Sequence, residues 1–347
     1  MATSPRGGLP SWGTASATQW VTRTGGGQVA SFSDTTDSAS YTYDALGELT
    51  GVDNSVRTDQ SYEYDANGNP TGEGYVIGAE NRLLADPGHT YEYDAEGNRT
   101  LSTDLASGEV TQYEWDFRNR LTGVDVRAAD GTLLRSVSYT YDALNRLVGR
   151  TQTDGTGAVV SEEQYALETR DLASPTATAG ATSQTALDQV SAVIGADGLV
   201  TERYLWGSHT DEVLAEETAA GETLWLLGDD LGSVRAVAEY DAVTGQTSVV
   251  KRVSYDAFGA VASDSDPSVA VRFGYTGLSL DSATGLQSNR ARWYDPTARR
   301  WVSEDPKGFD AGDANLGRYV GNDPLNATDP SGLDAWWNDY VPTWNDL

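Results

Sequence analysis

The sequence predicts an all-β fold in which stacked β-hairpins build one long continuous sheet. Two observations carry that prediction. One aromatic phrase returns six times, at Tyr41-Thr-Tyr43-Asp44, Tyr62-Glu-Tyr64-Asp65, Tyr91-Glu-Tyr93-Asp94, Tyr113-Glu-Trp115-Asp116, Tyr139-Thr-Tyr141-Asp142 and Val253-Ser-Tyr255-Asp256. Repetition of this kind is the sequence mark of units that bury a core only by stacking. The phrase alternates with period two, and no apolar pattern of helical period runs beyond two turns.

Residues 1–40 read as a polar N-terminal segment, and residues 41–165 as the repeats. Within a repeat the two aromatics share one face of a strand, while the residue between them and the Asp point the other way. Four residues after the second aromatic stands Gly in four copies and Asn in two, the residue types that most easily take positive φ, so that position is a turn. An apolar residue then opens the return strand, as in Gly47-Glu48-Leu49 or Asn145-Arg146-Leu147. The second aromatics of the first five copies are spaced by 21, 29, 22 and 26 residues, as hairpins joined by loops of unequal length require. A lone hairpin is marginal in water, so edge-to-edge stacking into one long continuous sheet is expected.

Residues 166–195 are rich in Ala, Thr and Ser and read as a long exposed loop. Strand-forming residues resume at Tyr204-Leu205-Trp206 and Leu224-Trp225-Leu226 and continue through the segment 196–275. Residues 276–333 read as a terminal block, and residues 334–347 as a tail holding Trp336, Trp337, Trp344 and Tyr340. His89 and His209 read as ordinary loop residues.

Composition excludes much chemistry. With 52 acidic against 23 basic side chains the formal net charge is −29, which disfavours nucleic acid and anionic membrane surfaces as partners. Cysteine is absent and only two histidines occur, which removes disulfide scaffolds and thiolate zinc and leaves little for imidazole ligation or a Ser-His-Asp triad. No cofactor and no metal is expected. No run of eighteen apolar residues occurs and the first ten residues hold no apolar signal core, so membrane insertion is not expected.

The terminal block carries a resemblance. Its residues are Asp229-Asp-Leu-Gly-Ser-Val-Arg235, Phe273-Gly-Tyr-Thr-Gly277, Asn289-Arg-Ala-Arg-Trp-Tyr-Asp-Pro296, Arg300-Trp-Val-Ser-Glu-Asp-Pro-Lys-Gly308, Asn315-Leu-Gly-Arg-Tyr-Val-Gly-Asn322 and Asp329-Pro-Ser-Gly-Leu333. Together with the aromatic-Asp-x-x-Gly phrase, these resemble the YD repeats and the associated core domain of RHS proteins, a group with the toxin-complex C subunits and the teneurins. The resemblance implies that the hairpins wind into a curved or spiral β-sheet, a partial cocoon or barrel closed by the core domain, in a secreted or cell-surface setting, and that the core cuts the chain behind itself with two aspartates and an arginine. Matched motif to motif, these fall on Asp305, Asp329 and Arg292, with scission between Leu333 and Asp334. The chain departs from the family at Gly317, where Tyr is usual, and at Asp323, where Asn is frequent.

The chemistry suits the residue types. Two carboxyls held close cannot both ionise cheaply, so one keeps a proton and polarises a carbonyl while the other deprotonates water. An arginine beside them stabilises a carboxylate or a developing oxyanion through charge-assisted hydrogen bonds. Arg290, Arg299 and Arg300 compete with Arg292 for that place. An Asp-Pro pair alone is an ordinary turn opener, and Asp86-Pro87, Asp266-Pro267, Asp295-Pro296 and Asp323-Pro324 are further instances. The flanking motifs distinguish Asp305 and Asp329 from these.

Fourteen residues follow the expected cut, too few for a folded toxin, and their aromatics are expected to lie against an apolar surface. The partners expected are this C-terminal segment, further repeats of a larger shell, or like subunits. A non-enzymatic filament or adhesin subunit built from YD repeats is the alternative, since sheet edges can join neighbours.

Overall fold

The computed structural model of the chain describes residues 20–33, 37–170 and 187–337. Antiparallel strands dominate it, each following its predecessor in sequence order. A five-stranded sheet runs through Trp20–Arg23, Val29–Ser33, Ser38–Tyr43, Leu49–Asn54 and Gln60–Ser61. A sixteen-stranded sheet then runs from Val76–Ile77 to Val261–Asp264 without a crossover, and its two end strands are not paired with each other. The terminal block adds a four-stranded sheet, Ser279–Asp281, Leu286–Asn289, Arg292–Asp295 and Arg300–Trp301, and a two-stranded pair of Ala327–Thr328 with Trp336–Trp337.

The repeated phrase works through hydrogen bonds that can be named. In all six copies the Asp Oδ1 accepts the backbone N–H four residues on, at 2.8 to 3.1 Å. This side-chain turn closes the loop that the following Gly or Asn bends. Gly47, Gly68, Gly97, Asn119, Asn145 and Gly259 all have positive φ. The same turn forms at Asp154 and Asp229 without a preceding aromatic. The second aromatic stitches neighbouring hairpins together. Tyr93 Oη donates to Leu83 O, Trp115 Nε1 to Arg99 O and Tyr141 Oη to Leu121 O, each acceptor being the first residue of a return strand. The first aromatics Tyr62, Tyr91, Tyr113 and Tyr139 are buried.

The terminal block packs on this aromatic face. Leu286, Trp293 and Val302 join Tyr113, Leu121, Val124, Val126, Val137 and Tyr139 in one core cluster, and a buried side chain of this size contributes roughly 1.5–3 kcal/mol. Polar ties add direction. Tyr139 Oη donates to Asp281 Oδ2 at 2.7 Å, and Arg150 forks onto both oxygens of Asp281 at 2.7 and 2.9 Å.

Four expectations are revised. The expected single sheet is two, because Pro70 offers no N–H and Gly72 and Gly74 take positive φ, so that only an isolated bridge between Tyr64 and Pro70 stands between them. The polar segment 1–40 contains Trp20–Arg23 and Val29–Ser33, a hairpin that bends at Gly27, φ 93°. The expected loop 166–195 is strand at both ends, Val159–Arg170 pairing with Leu187–Gly195 from Glu163↔Gly195 to Arg170↔Leu187. Its Ala, Thr and Ser content hides the β-forming residues Leu167, Val190, Val193 and Ile194, and residues 171–186 lie outside the described residues. His89 opens the strand His89–Tyr93 and faces Asp86 at 3.4 Å, a charge partner that raises its pKa.

Candidate active site

The site forms where three parts of the terminal block meet. Arg292 opens the strand Arg292–Asp295 and is 5% exposed. Its guanidinium carbon stands 4.0 Å from the centre of the Trp301 ring, which holds the cation without hydrating it. Asp305 follows the strand Arg300–Trp301, and its Oδ1 accepts the Lys307 N–H at 2.8 Å. Asp329 follows Ala327–Thr328 and folds the next residues around its own carboxyl. Its Oδ1 accepts the N–H groups of Gly332, Leu333 and Asp334 at 2.8, 3.2 and 3.3 Å, and the Ser331 hydroxyl at 3.1 Å.

One guanidinium nitrogen joins the two acids. Arg292 Nη2 is 2.8 Å from Asp305 Oδ2 and 3.3 Å from Asp329 Oδ2, so those two oxygens are no farther apart than the sum of the two contacts. All three side chains are nearly buried, at 9% exposure or less. Burial pushes both carboxyls above the usual carboxylate range, against the opposing pull of Arg292, and the same desolvation lowers the Arg292 pKa. Two acids that resist ionisation around a single cation hold a proton between them more readily than either would alone.

Leu333 is half-buried and Asp334 exposed. The N–H of the Leu333–Asp334 peptide bond is one of the donors to Asp329. Gly332, at φ 70°, lies so close to Asn289 O that an added Cβ would meet it at 2.4 Å. Beyond the bond, Lys307 Nζ pairs with Asp334 Oδ1 at 2.5 Å. The chain then returns to the block, Trp336 opposite Thr328 and Trp337 opposite Ala327; residues 338–347 lie outside the described residues. A cavity of about 390 Å³ opens beside the acids, walled by Arg292, Trp301, Asp305, Leu316, Asp329 and Leu333 among others. A larger cavity of about 830 Å³, walled by residues such as Tyr41, Asp229 and Arg235, includes none of the site residues.

The competing arginines go elsewhere. Arg299 stacks on Tyr62 and Phe258. Arg300 bonds to Asn69, Asn81 and Asn315, and burial lowers its pKa to about 10. It also occupies the space above Gly317, where a Cβ would meet its Nη2 at 2.8 Å. Arg290 pairs with Asp211. Sequence reasoning missed Lys307, Asn289 and Asp211. Lys307 sits inside the Asp-Pro-Lys-Gly motif and offered a signal; Asp211 lies far away in sequence and offered none.

The sequence model of the family described as teneurin YD-shell matches residues 17–161 and 196–322. The chain belongs to the teneurin YD-shell family. The YD-shell match includes Arg292 and Asp305 and ends before Asp329. Among similar proteins, "Probable deoxyribonuclease RhsB" of Dickeya dadantii is 28% identical over 324 residues, 89% of this chain and 20% of that protein. Human Teneurin-4 is 26% identical over 278 residues, 77% of this chain and 9% of its own length. Toxin subunit YenC2 of Yersinia entomophaga is 49% identical over 59 residues, 17% of this chain and 6% of its own. A solved structure titled "Crystal Structure of TcdB2-TccC3-Cdc42" aligns with 90% of this chain and 19% of that one, at 16% identity and a TM-score of 0.44. This YD-shell chain therefore spans a fifth or less of the length of these relatives.

Proposed function

We propose that the terminal block hydrolyses its own backbone between Leu333 and Asp334, once per chain, with Asp305 and Asp329 as an acid pair and Arg292 as their shared cation. The observation that carries this reading is the double role of Asp329: one oxygen meets Arg292 Nη2, and the other accepts the N–H of the bond to be cut. The pair starts with one proton. Its ionised member deprotonates a water from the adjoining cavity, its protonated member polarises the Leu333 carbonyl, and hydroxide adds to the carbonyl carbon. Arg292 balances the charge that develops. The proton taken from water returns to the Asp334 nitrogen as the C–N bond breaks, leaving a carboxylate on Leu333 and an amine on Asp334. The substrate is tethered within the fold, so its positioning entropy is already lost.

This activity suits the closing piece of a larger secreted or cell-surface shell. Support comes from the family, from the small share of each relative that the chain spans, and from strands at the ends of both sheets that, among the described residues, pair on one side only. The partners are then further YD repeats and the segment behind the cut. The test is denaturing electrophoresis with intact mass. A fragment ending at Leu333 is expected; a single uncut 347-residue species together with ordered polymers would instead favour the filament or adhesin reading.

A further inference from the structure

Four consecutive residues hold the four consecutive carbonyls that precede the proposed scissile bond. Asn289 Nδ2 donates to Asp329 O at 2.7 Å, Arg290 Nη1 to Pro330 O at 2.5 Å, the Ala291 amide to Ser331 O at 3.1 Å, and Arg292 Nε to Gly332 O at 2.5 Å. The Leu333 carbonyl comes next, beyond the last donor of this turn. From the other side, Asp329 Oδ1 gathers the amides of Gly332, Leu333 and Asp334. The segment before the proposed scissile bond is thus gripped on both its carbonyl and its amide groups.

Arg290 differs from the other three donors in what stands behind it. Its Nε donates to Asp188 O at 3.0 Å, and its two terminal nitrogens reach the Asp211 carboxylate at 2.5 and 3.1 Å. Asp188 belongs to the strand Leu187–Gly195, and Asp211 to the loop between Val200–Trp206 and Val213–Thr218. These partners lie 102 and 79 residues away in sequence. Asp211 is 2% exposed, so the carboxylate end of the pair is shielded from solvent, while Arg290 is only partly buried. Arg290 is also in the wrong conformation for an arginine. It is the first residue of the two-residue turn between Asn289 and Arg292, at φ 61°, where Gly would sit without strain.

We propose that Arg290 is a positioning residue that makes the cut conditional on assembly of the sixteen-stranded sheet, with Asp211 as the sensor of that assembly. The consequence rests on the self-cleavage reading, whereas the clamp itself does not. Until the strand bearing Asp188 and the loop bearing Asp211 are in place, the guanidinium fork lacks two of its three anchors and Pro330 O has no fixed donor. A misplacement of about 1 Å at a reacting centre costs on the order of 10²-fold in rate, so a chain with an unfinished sheet is cut that much more slowly.

The test uses the full chain with Asp211→Ala and, separately, Arg290→Gly, the second of which removes the clamp while relieving the turn. Hydrogen exchange of the Gly332, Leu333 and Asp334 amides is read in an Asp305→Asn background, and the Tyr139–Tyr141 amides serve as the control. Both variants are expected to exchange the three loop amides roughly tenfold faster or more, as loss of a charge-assisted anchor implies, with the control unchanged. With Asp305 restored, each variant is expected to form the Leu333-ended product roughly 10- to 100-fold more slowly, with its pH limbs unmoved because both acids and Arg292 are intact. Unchanged loop exchange overturns the proposal, as does faster exchange of loop and control together, which reports general loosening. If the clamp responds as expected but the unsubstituted chain is never cut, the self-cleavage reading has failed and the conditional cut falls with it.

Discussion

Replacing Glu216 by Gln is expected to stabilise the chain near neutral pH and to leave it unchanged in acid. Glu216 lies on Val213–Thr218 opposite Tyr204 of Val200–Trp206 and is 5% exposed. Its Oε2 is buried without a hydrogen-bond partner. Arg272, the cation nearby, is already taken by Glu163 at 2.9 Å and Glu202 at 3.1 Å. Burial first, and then the Glu202 charge, raise the Glu216 carboxyl from 4.5 to about 7, with Arg272 pulling weakly the other way. Below the unfolded value both states hold the proton. Between 4.5 and about 7 the unfolded chain releases it while the folded chain keeps it, so stability falls as pH rises through this window and the loss is complete above it. About 2.5 pH units at 1.36 kcal/mol each give a cost of about 3 kcal/mol. Gln keeps the shape and cannot ionise. Urea unfolding of both proteins, followed by tryptophan fluorescence at about pH 4.5 and about pH 8, should show a stability difference that opens from near zero to about 3 kcal/mol. A difference that is the same at both pH values would refute the reasoning.

The remaining predictions concern the site. Asp305→Asn should leave a single intact species by mass, and a Leu333-ended product persisting in that variant would contradict the acid pair. In the unsubstituted chain the cutting rate should fall toward acid, where both carboxyls are protonated, and toward alkali, where neither is. Because burial raises both Asp305 and Asp329, both limbs should lie above the ordinary carboxylate range in a rate-against-pH series. Gly332→Ala places a Cβ 2.4 Å from Asn289 O and 2.8 Å from Arg292 N at φ 70°, so it should lower stability by about 1–3 kcal/mol and slow the cut by more than about tenfold; a thermal midpoint and rate equal to the parent would remove the close-packing argument. Lys307→Ala should leave the thermal midpoint unchanged, because the Lys307–Asp334 pair is exposed, yet slow the cut. Exchanging the pair as Lys307→Asp with Asp334→Lys should recover the rate, and no recovery would show that the ion pair does not align the bond.

Much of this molecule is written in short stretches of chain. An Asp that accepts an amide four residues on, a Gly or Asn that takes positive φ, and two aromatics on one face are local chemistry, so the hairpins around Asp44, Asp65, Asp94, Asp116, Asp142 and Asp256 follow from their own residues. The identities of Arg292, Asp305 and Asp329 were legible too, through the motifs that contain them. Strand limits in the Ala- and Thr-rich segment were not, because polar composition masks the β-forming residues at its ends. Nor was the meeting of Arg292 with both acids, or the grip of Arg290 on Asp188 and Asp211. Those contacts join residues far apart along the chain, and no pattern of neighbours encodes them. The packing of Leu286, Trp293 and Val302 against the repeat aromatics, with the ties of Asp281 to Tyr139 and Arg150, brings the block and the sheet into register, because burial has no direction until the surfaces that share it have met.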